Sequence, residues 1–479
     1  MSNITIQSQE LNDTAISELQ KQKLVKFVSA LQSYDVDITL DNLEEFVSSD
    51  GQVKDLALKT QEHDSDKAEL IRNLFESLAK QLSVIKQKNQ VATELYKQHI
   101  AFFNSYLLLW KSMLVANIVG REFTADELEF YVKSISQQKE LLDELIKKSD
   151  EDSVRQAQAI WDKYTLETYG LLFDEDTLAD INQIISNILN SHPTLVVGDK
   201  GIAKTQIVKF VMSLYTDEPL ILSIKGDMMS DEFIGKIEHD AKNKTFVFVD
   251  GVLLKAMREG KPLLLDEINF GDQAIIARLQ DLLLREPGEK VFIQEKGEFV
   301  TIAHGFAVFA TANEASVRYK HREILDPALR DRFDIVFRHY PDAHNTSFLE
   351  TSDTLMRMAY AAACDYDGLP SEYIDLDQLE KFTRLAFATQ YLYSNPAKDV
   401  IAVFEENDMK TQTQNDAESL MSDCITPRAL YRVVSDASEG NLPGKRLDDN
   451  LITKILHNLD QAGSHKNFEI AQQIQVLLG

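Results

Sequence analysis

Residues 1–168 of this 479-residue chain hold no proline and only two glycines, Gly51 and Gly120. Both residue types disrupt helix interiors, so a stretch that avoids them favours long helices. Cysteine is almost missing as well. Cys364 and Cys424 stand 60 positions apart, which excludes a disulfide framework and matches no metal-ligand spacing. They read as ordinary thiols of a reducing compartment. The N-terminus lacks a basic start leading into an apolar run and a cleavage site, so no secretory signal is expected and the expected location is cytoplasmic. One apolar stretch, Ile100 to Val119, approaches the length of a membrane span. Asn104, Lys111, Ser112 and Asn117 interrupt it, so a buried helix is expected there and no membrane partner. An excess of basic charge is also lacking. The formal charge is −27. Residues 1–150 carry 17 basic against 24 acidic side chains, and the remainder 33 against 53. Such a chain repels a phosphate backbone at long range, which disfavours extensive nucleic-acid contact, although a ring of subunits can still concentrate a few lysines in a pore.

What is present is a chain 44% hydrophobic, able to bury sizeable cores and long enough for about two to four domains. In the first 168 residues, Leu70, Leu74, Leu78, Leu82 and Ile85 recur at helical spacing. A second helix is expected to start at Thr124, with Glu127 completing a capping box. Its expected buried stripe is Leu128, Val132, Ile135, Leu142 and Leu145. No catalytic constellation appears in this segment, which reads as a docking or adaptor module or as helical padding of the core. Lys148 to Ser153 is a polar joint. From about residue 170 short β-branched runs alternate with helical stretches: Thr194–Val197, Leu220–Ile224, Leu263–Leu265 and Phe306–Ala310. That alternation predicts an α/β unit, a parallel sheet with helices on both faces. Pro341 closes it. Residues 342–479 read as helical again, with a polar stretch over Glu405–Glu418.

Gly198-Asp199-Lys200-Gly201-Ile202-Ala203-Lys204-Thr205 follows an apolar strand and opens a helix. Small residues allow backbone N–H groups to wrap phosphate oxygens, a lysine reaches the β- and γ-phosphates, and a hydroxyl suits Mg²⁺. Lys204 and Thr205 fill the last two roles. Ala203 stands where a glycine is usual, and its methyl group requires φ below zero. About 60 residues later, Leu263-Leu-Leu-Asp266-Glu267-Ile-Asn269 delivers two carboxylates at a strand's C-terminal edge, where ligands sit in open α/β sheets. Asp266 is expected to hold the metal and Glu267 to orient or deprotonate the attacking water.

Three elements lie downstream. Phe306 to Asn313 is an apolar strand ending in an amide, and Asn313 is placed to bond the lytic water or a γ-phosphate. Leu325 to Phe333 puts Arg330 and Arg332 at a helix end before a strand. A guanidinium offered to a neighbouring subunit's γ-phosphate stabilises transition-state charge; the plainer reading is surface arginines held by Asp326, Asp331 or Asp334. Thr426-Pro427-Arg428 starts a C-terminal helix from which Arg428 either reaches back to the nucleotide or stays solvated.

Gly198–Thr205, Leu265–Asn269, Thr311–Asn313, Leu329–Phe333 and Thr426–Arg428 together resemble the MoxR and dynein-related branch of AAA+ ATPases, which includes midasin-like and McrB-like proteins. Loops of this branch often read Gly-x-Ala-Lys, as here at Ala203. Hairpins expected around Gly235–Val249 and Lys290–Ile302 also fit. The resemblance covers about residues 170–445 and does not reach the first 168. It implies a AAA+ P-loop sheet flanked by helices (169–341) and a helical C-terminal lid (342–479); the first 168 residues read, from their own pattern, as a separate all-α N-terminal domain. It also implies ATP and Mg²⁺, and hydrolysis between subunits of a ring, usually a homo-hexamer. Glu267 would act in cis and Arg330 or Arg332 in trans. Members of the branch remodel or activate other proteins, often beside a separate chain with a metal-dependent adhesion domain; no Asp-x-Ser-x-Ser run of such a domain occurs here. A McrB-like motor subunit acting on nucleic acid is the alternative, and a non-hydrolysing switch a third.

Overall fold

The computed structural model describes residues 65–214, 216, 218–225, 228, 230–240, 245–271, 285–313, 327–340, 354–394 and 424–441. Among the described residues three helices come first: α1 (Ser65–Ile118), α2 (Ala125–Lys148) and α3 (Glu151–Tyr169). The side chains of Leu70 through Ile85 lie outside the described residues, as do residues 395–423 with their polar stretch, Asp326 and Pro341. The Ile100–Val119 stretch lies almost wholly within α1 and buries Ile100, Phe103, Leu107, Trp110 and Leu114. No helix among the described residues is long and apolar enough to cross a membrane.

The cap of α2 forms as its sequence requires. Thr124 Oγ1 accepts from the Glu127 amide at 3.2 Å, and the Glu127 carboxylate accepts from the Thr124 amide at 2.9 Å. Its buried stripe differs from the expected one. Ile135 and Leu142 are buried and Leu145 half-buried, but Leu128 and Val132 are 41% and 47% exposed. The helix is turned so that Tyr131 meets α1, its hydroxyl 2.7 Å from Ser112 Oγ, and Gln138 meets Gln98 about two turns further on. Positions 131, 135, 138 and 142 form that face, which leaves 128 and 132 on its rim. At the polar joint, Asp150 caps α3 by accepting from the Ser153 amide at 3.1 Å.

Helix α4 (Glu175–Leu189) leads into the sheet. Five strands, β1 (Thr194–Gly198), β2 (Leu220–Ser223), β5 (Pro262–Asp266), β8 (Ala307–Asn313) and β9 (Asp334–Arg338), pair in parallel in the order β2-β5-β8-β1-β9. Leu263, Leu264 and Leu265 of β5 are fully buried, as the continuous apolar run of a strand covered on both faces requires. Helices α5 (Lys204–Ser213) and α7 (Val252–Glu259) follow β1 and precede β5, with the one-turn α6 (Ser230–Phe233) between them. Two hairpins form where expected: β3 (Gly235–Asp240) with β4 (Thr245–Asp250), and β6 (Lys290–Ile293) with β7 (Glu298–Thr301). After the single turn α8 (Pro327–Arg330), the C-terminal part contributes α9 (Thr354–Ala363), α10 (Leu376–Ser394) and α11 (Pro427–Ser438).

One apolar cluster joins the leading helices to the sheet. It contains Phe103 and Trp110 of α1, Trp161 of α3, Ile184 of α4, Phe210 of α5, Val196 of β1 and Phe309 of β8. Trp110 is fully buried, sits edge-on to Phe210 at 6.0 Å, and donates from Nε1 to Asn182 Oδ1 at 2.7 Å. The cluster runs through residue 168 without a break, so the first helices and the α/β unit share one core.

Candidate active site

All five strands run the same way, so β1, β5 and β8 end at one edge of the sheet. Register decides what meets there. Gly198 pairs with Asn313, Leu265 with Ala310, and Ser223 with Asp266. The phosphate-loop candidate, the acidic pair and the amide thus occupy adjacent strand ends.

Lys204 is buried. Its Nζ donates to the Gly198 carbonyl at 2.8 Å, to Asn313 Oδ1 at 2.9 Å and to the Asp199 carbonyl. Thr205 Oγ1 donates to Asp266 Oδ1 at 2.9 Å, and Thr311 Oγ1 donates to the same oxygen at 2.6 Å. Thr311 Oγ1 also accepts from the Glu267 amide at 2.9 Å. Thr311 therefore ties both acidic residues to β8, a role its sequence position did not reveal. Asn269 Nδ2 donates to the Asn313 carbonyl at 3.2 Å, while its buried Oδ1 has no partner among the described residues.

The backbone carries strain at the same edge. Among the described residues three non-glycines have positive φ: Ser191, Ala203 (62°) and Glu267 (59°). The expectation that Ala203 keeps φ below zero is therefore wrong. Ala203 is the residue before α5, and the turn from loop to helix needs a left-handed step there. The methyl group costs about 1 kcal/mol relative to glycine. Left-handed non-glycine residues concentrate where surrounding structure enforces them, often at functional sites. The glycines answer to neighbours as well as to a ligand. A Cβ on Gly198 would lie 2.1 Å from the Arg338 carbonyl oxygen, and one on Gly201 (φ 79°) 2.7 Å from Thr426 Cβ. Gly201 is thus where the C-terminal helices touch the loop. Ile202, buried beneath it, packs with Tyr340, Tyr393 and Cys424.

Two supports of the loop were not evident from sequence. Arg338, the last residue of β9, donates from Nε to the Ile202 carbonyl at 3.1 Å and pairs with Asp180 at 2.7 Å. Burial pushes Asp180 up to about 6 against the pull of that guanidinium. Tyr340 donates to the Lys200 carbonyl at 3.0 Å and accepts from Cys424 Sγ at 3.3 Å. Neither residue falls in a spaced motif; a charged or aromatic residue closing an apolar strand is the only trace. Beside Gly201, Ile202 and Ala203 opens a cavity of about 350 Å³, also lined by Asp180, Arg338 and Thr354. Its size falls within the range of small-molecule pockets.

Among the described residues none of the candidate arginines bonds to this cluster. Arg330 is exposed, and Arg332 is half-buried with Nε unpartnered among the described residues. Asp334 pairs with His192 at 2.9 Å instead. Arg428 is exposed on the first turn of α11, whose cap Thr426 accepts from the Ala429 amide at 3.2 Å. Cys364 and Cys424 are buried, and neither forms a disulfide.

The donors fit a metal and a polyphosphate. A hydroxyl and a carboxylate share one point at Thr205 and Asp266, the hard-oxygen set that suits Mg²⁺. A buried ammonium lies beside them at the start of a helix, the usual seat of a phosphate.

Comparison with known proteins agrees with this geometry. Residues 193–333 match the model of the AAA domain (dynein-related subfamily). The chain is 21% identical to midasin of Giardia intestinalis over 364 residues, 66% of this chain and 7% of that protein. It is 30% identical to midasin of Dictyostelium discoideum over 161 residues, 33% of this chain and 3% of that protein. An uncharacterised protein of Staphylococcus aureus (strain USA300) is 30% identical over 173 residues, 35% of this chain and 60% of that one. The chain thus spans a small fraction of the midasins it matches.

Proposed function

We propose that this chain, a AAA+ protein of the dynein-related branch, hydrolyses Mg²⁺-ATP in a ring of like subunits and uses the cycle to remodel or activate a partner protein. The observation that supports the chemistry is the contact of Thr205 Oγ1 with Asp266 Oδ1 at 2.9 Å beside Lys204 and Asn313. In this reading Lys204 holds the β- and γ-phosphates, the amides of Gly198–Thr205 wrap them, and Thr205 with Asp266 holds the ion. When bound, the ion would supply positive charge that offsets the charge of the phosphates. Glu267 orients the attacking water and accepts its proton on the carboxylate. Asn313 holds Lys204 and the water in register. In this reading Arg330, at the end of α8, and Arg332, two residues beyond it, serve a neighbour's nucleotide. Arg428 approaches the nucleotide from the C-terminal helices. The acidic charge of −27 favours a protein client over nucleic acid.

Glu267→Gln tests the core of this reading. It should leave ATP binding intact and lower turnover by about 100-fold or more, as loss of a positioned general base does. Wild-type turnover in Glu267→Gln would refute the assignment. Stimulation of the wild type many-fold by DNA would replace the protein client with a nucleic-acid one. Arg332→Ala should bind ATP but not hydrolyse it, and mixing it with Glu267→Gln subunits should restore part of the turnover, since each mutant supplies what the other lacks. Absence of rescue at every mixing ratio would count against a shared site.

A further inference from the structure

A second cavity, of about 430 Å³, lies between the leading helices and the start of α4. It shares only Asp174 and Ala179 with the cavity beside the phosphate loop. Five rings wall it: Phe102, Phe103 and Tyr106 from α1, Trp161 from α3, and Phe173. Aromatic walls of this kind favour flat, aromatic guests, which stack or meet the rings edge-on. Among them stands His99, which is 9% exposed, lies parallel to Trp161 at 6.2 Å and hydrogen-bonds to no described residue. Burial pushes its imidazole down to about 4, so at neutral pH it is uncharged and offers one donor and one acceptor. A ligand with a polar edge in the cavity would bond the His99 ring nitrogens.

The charges around the cavity are already engaged. Lys139 pairs with Glu175 at 3.7 Å, Arg357 with buried Asp162 at 2.7 and 3.0 Å, and Asp174 caps α4, accepting from the Thr177 amide at 2.8 Å and from Thr354 Oγ1 at 3.0 Å. None of these groups is left over to select an ion. We propose that this cavity is a second small-molecule site, separate from the nucleotide site, and that it takes an uncharged planar heteroaromatic compound whose polar edge bonds His99.

The test is calorimetric titration of the full chain, with saturating Mg²⁺-ATP present, using lumichrome, a neutral tricyclic ring with a donor–acceptor edge. Cyclohexanecarboxamide, which has polar groups but no aromatic plane, serves as control. Lumichrome should bind one per chain and quench tryptophan fluorescence through Trp161, and the control should bind at least about tenfold more weakly. His99→Leu should weaken lumichrome about fivefold, the value of one hydrogen bond, and His99→Gln should restore it to within about twofold. Leu142→Trp, which fills the cavity from α2, should abolish binding and covers the case in which His99→Leu does not fold. Three results would overturn the proposal: no saturable binding to the wild type, displacement by ATP, or unchanged affinity in both His99→Leu and Leu142→Trp. An ATP titration of the same samples reads the phosphate-loop site independently, so failure of one site is not mistaken for failure of the other.

Discussion

The nucleotide edge of the sheet and the helical segment ahead of it hold their residues in place by opposite means. At the edge, a few directional contacts act over short spans: Lys204 on Gly198, Thr205 on Asp266, Thr311 on both carboxylate residues. The backbone is strained there, at Ala203 and Glu267. In the helical segment the work falls to rings. Phe103 meets Phe173 at 4.4 Å and Trp161 at 5.2 Å, and Trp110 meets Phe210 at 6.0 Å. The first arrangement places charges and tolerates strain; the second supplies burial and leaves a cavity. The comparison teaches that this protein's chemistry and its cohesion have separate sources.

The sharpest way to break that separation is Trp110→Ala. Loss of a fully buried indole should cost about 3–5 kcal/mol. Because the cluster is continuous with β1, β8 and α5, circular dichroism in urea should show the α/β unit unfolding earlier too. If less than about 1 kcal/mol were lost and the main transition did not move, the leading helices would be a detachable pad. Lys204→Ala acts on the other side. It should weaken nucleotide binding about 100-fold or more, since a charge-assisted contact to phosphate disappears, while circular dichroism shows the fold retained. Retained affinity would remove the phosphate loop from the site. The smallest effect is expected from Ala203→Gly, which relieves a left-handed alanine. It should raise stability by up to about 1 kcal/mol, read as a higher urea midpoint. A lower midpoint would mean that the methyl group contributes more packing than its backbone costs.

The α/β unit was readable because its signals are local. Gly198–Thr205 and Asp266–Glu267 sit on apolar strands whose ends announce themselves, and both hairpins appear where the family resemblance led them to be expected. The cap at Thr124 and Glu127 was equally plain, for it needs only residues three apart. What escaped were pairings across long separations. Arg338 with Asp180 and Ile202, Tyr340 with Lys200, and Thr311 with Asp266 depend on strand order and on where β9 and the C-terminal helices come to rest. The stripe on α2 was read one step off because apolarity alone does not fix helix rotation; the polar contact of Tyr131 with Ser112 does. The φ of Ala203 was misjudged because a preference for φ below zero yields when the turn between β1 and α5 demands otherwise.

The sequence by itself determined which groups gather at the C-terminal edge of the sheet, since a strand, a small-residue loop and a helix start are contiguous in the chain and strand ends carry their own chemistry. It also determined that the described part of the first segment, from Ser65 on, is helical, through its lack of helix-breaking residues. Tertiary structure alone decided that this segment shares a core with the sheet, that Arg338, Tyr340 and Thr426 brace the loop, and that a cavity opens beside His99. Those outcomes depend on the packing of side chains distant in sequence, and packing energy is settled only when the surfaces meet.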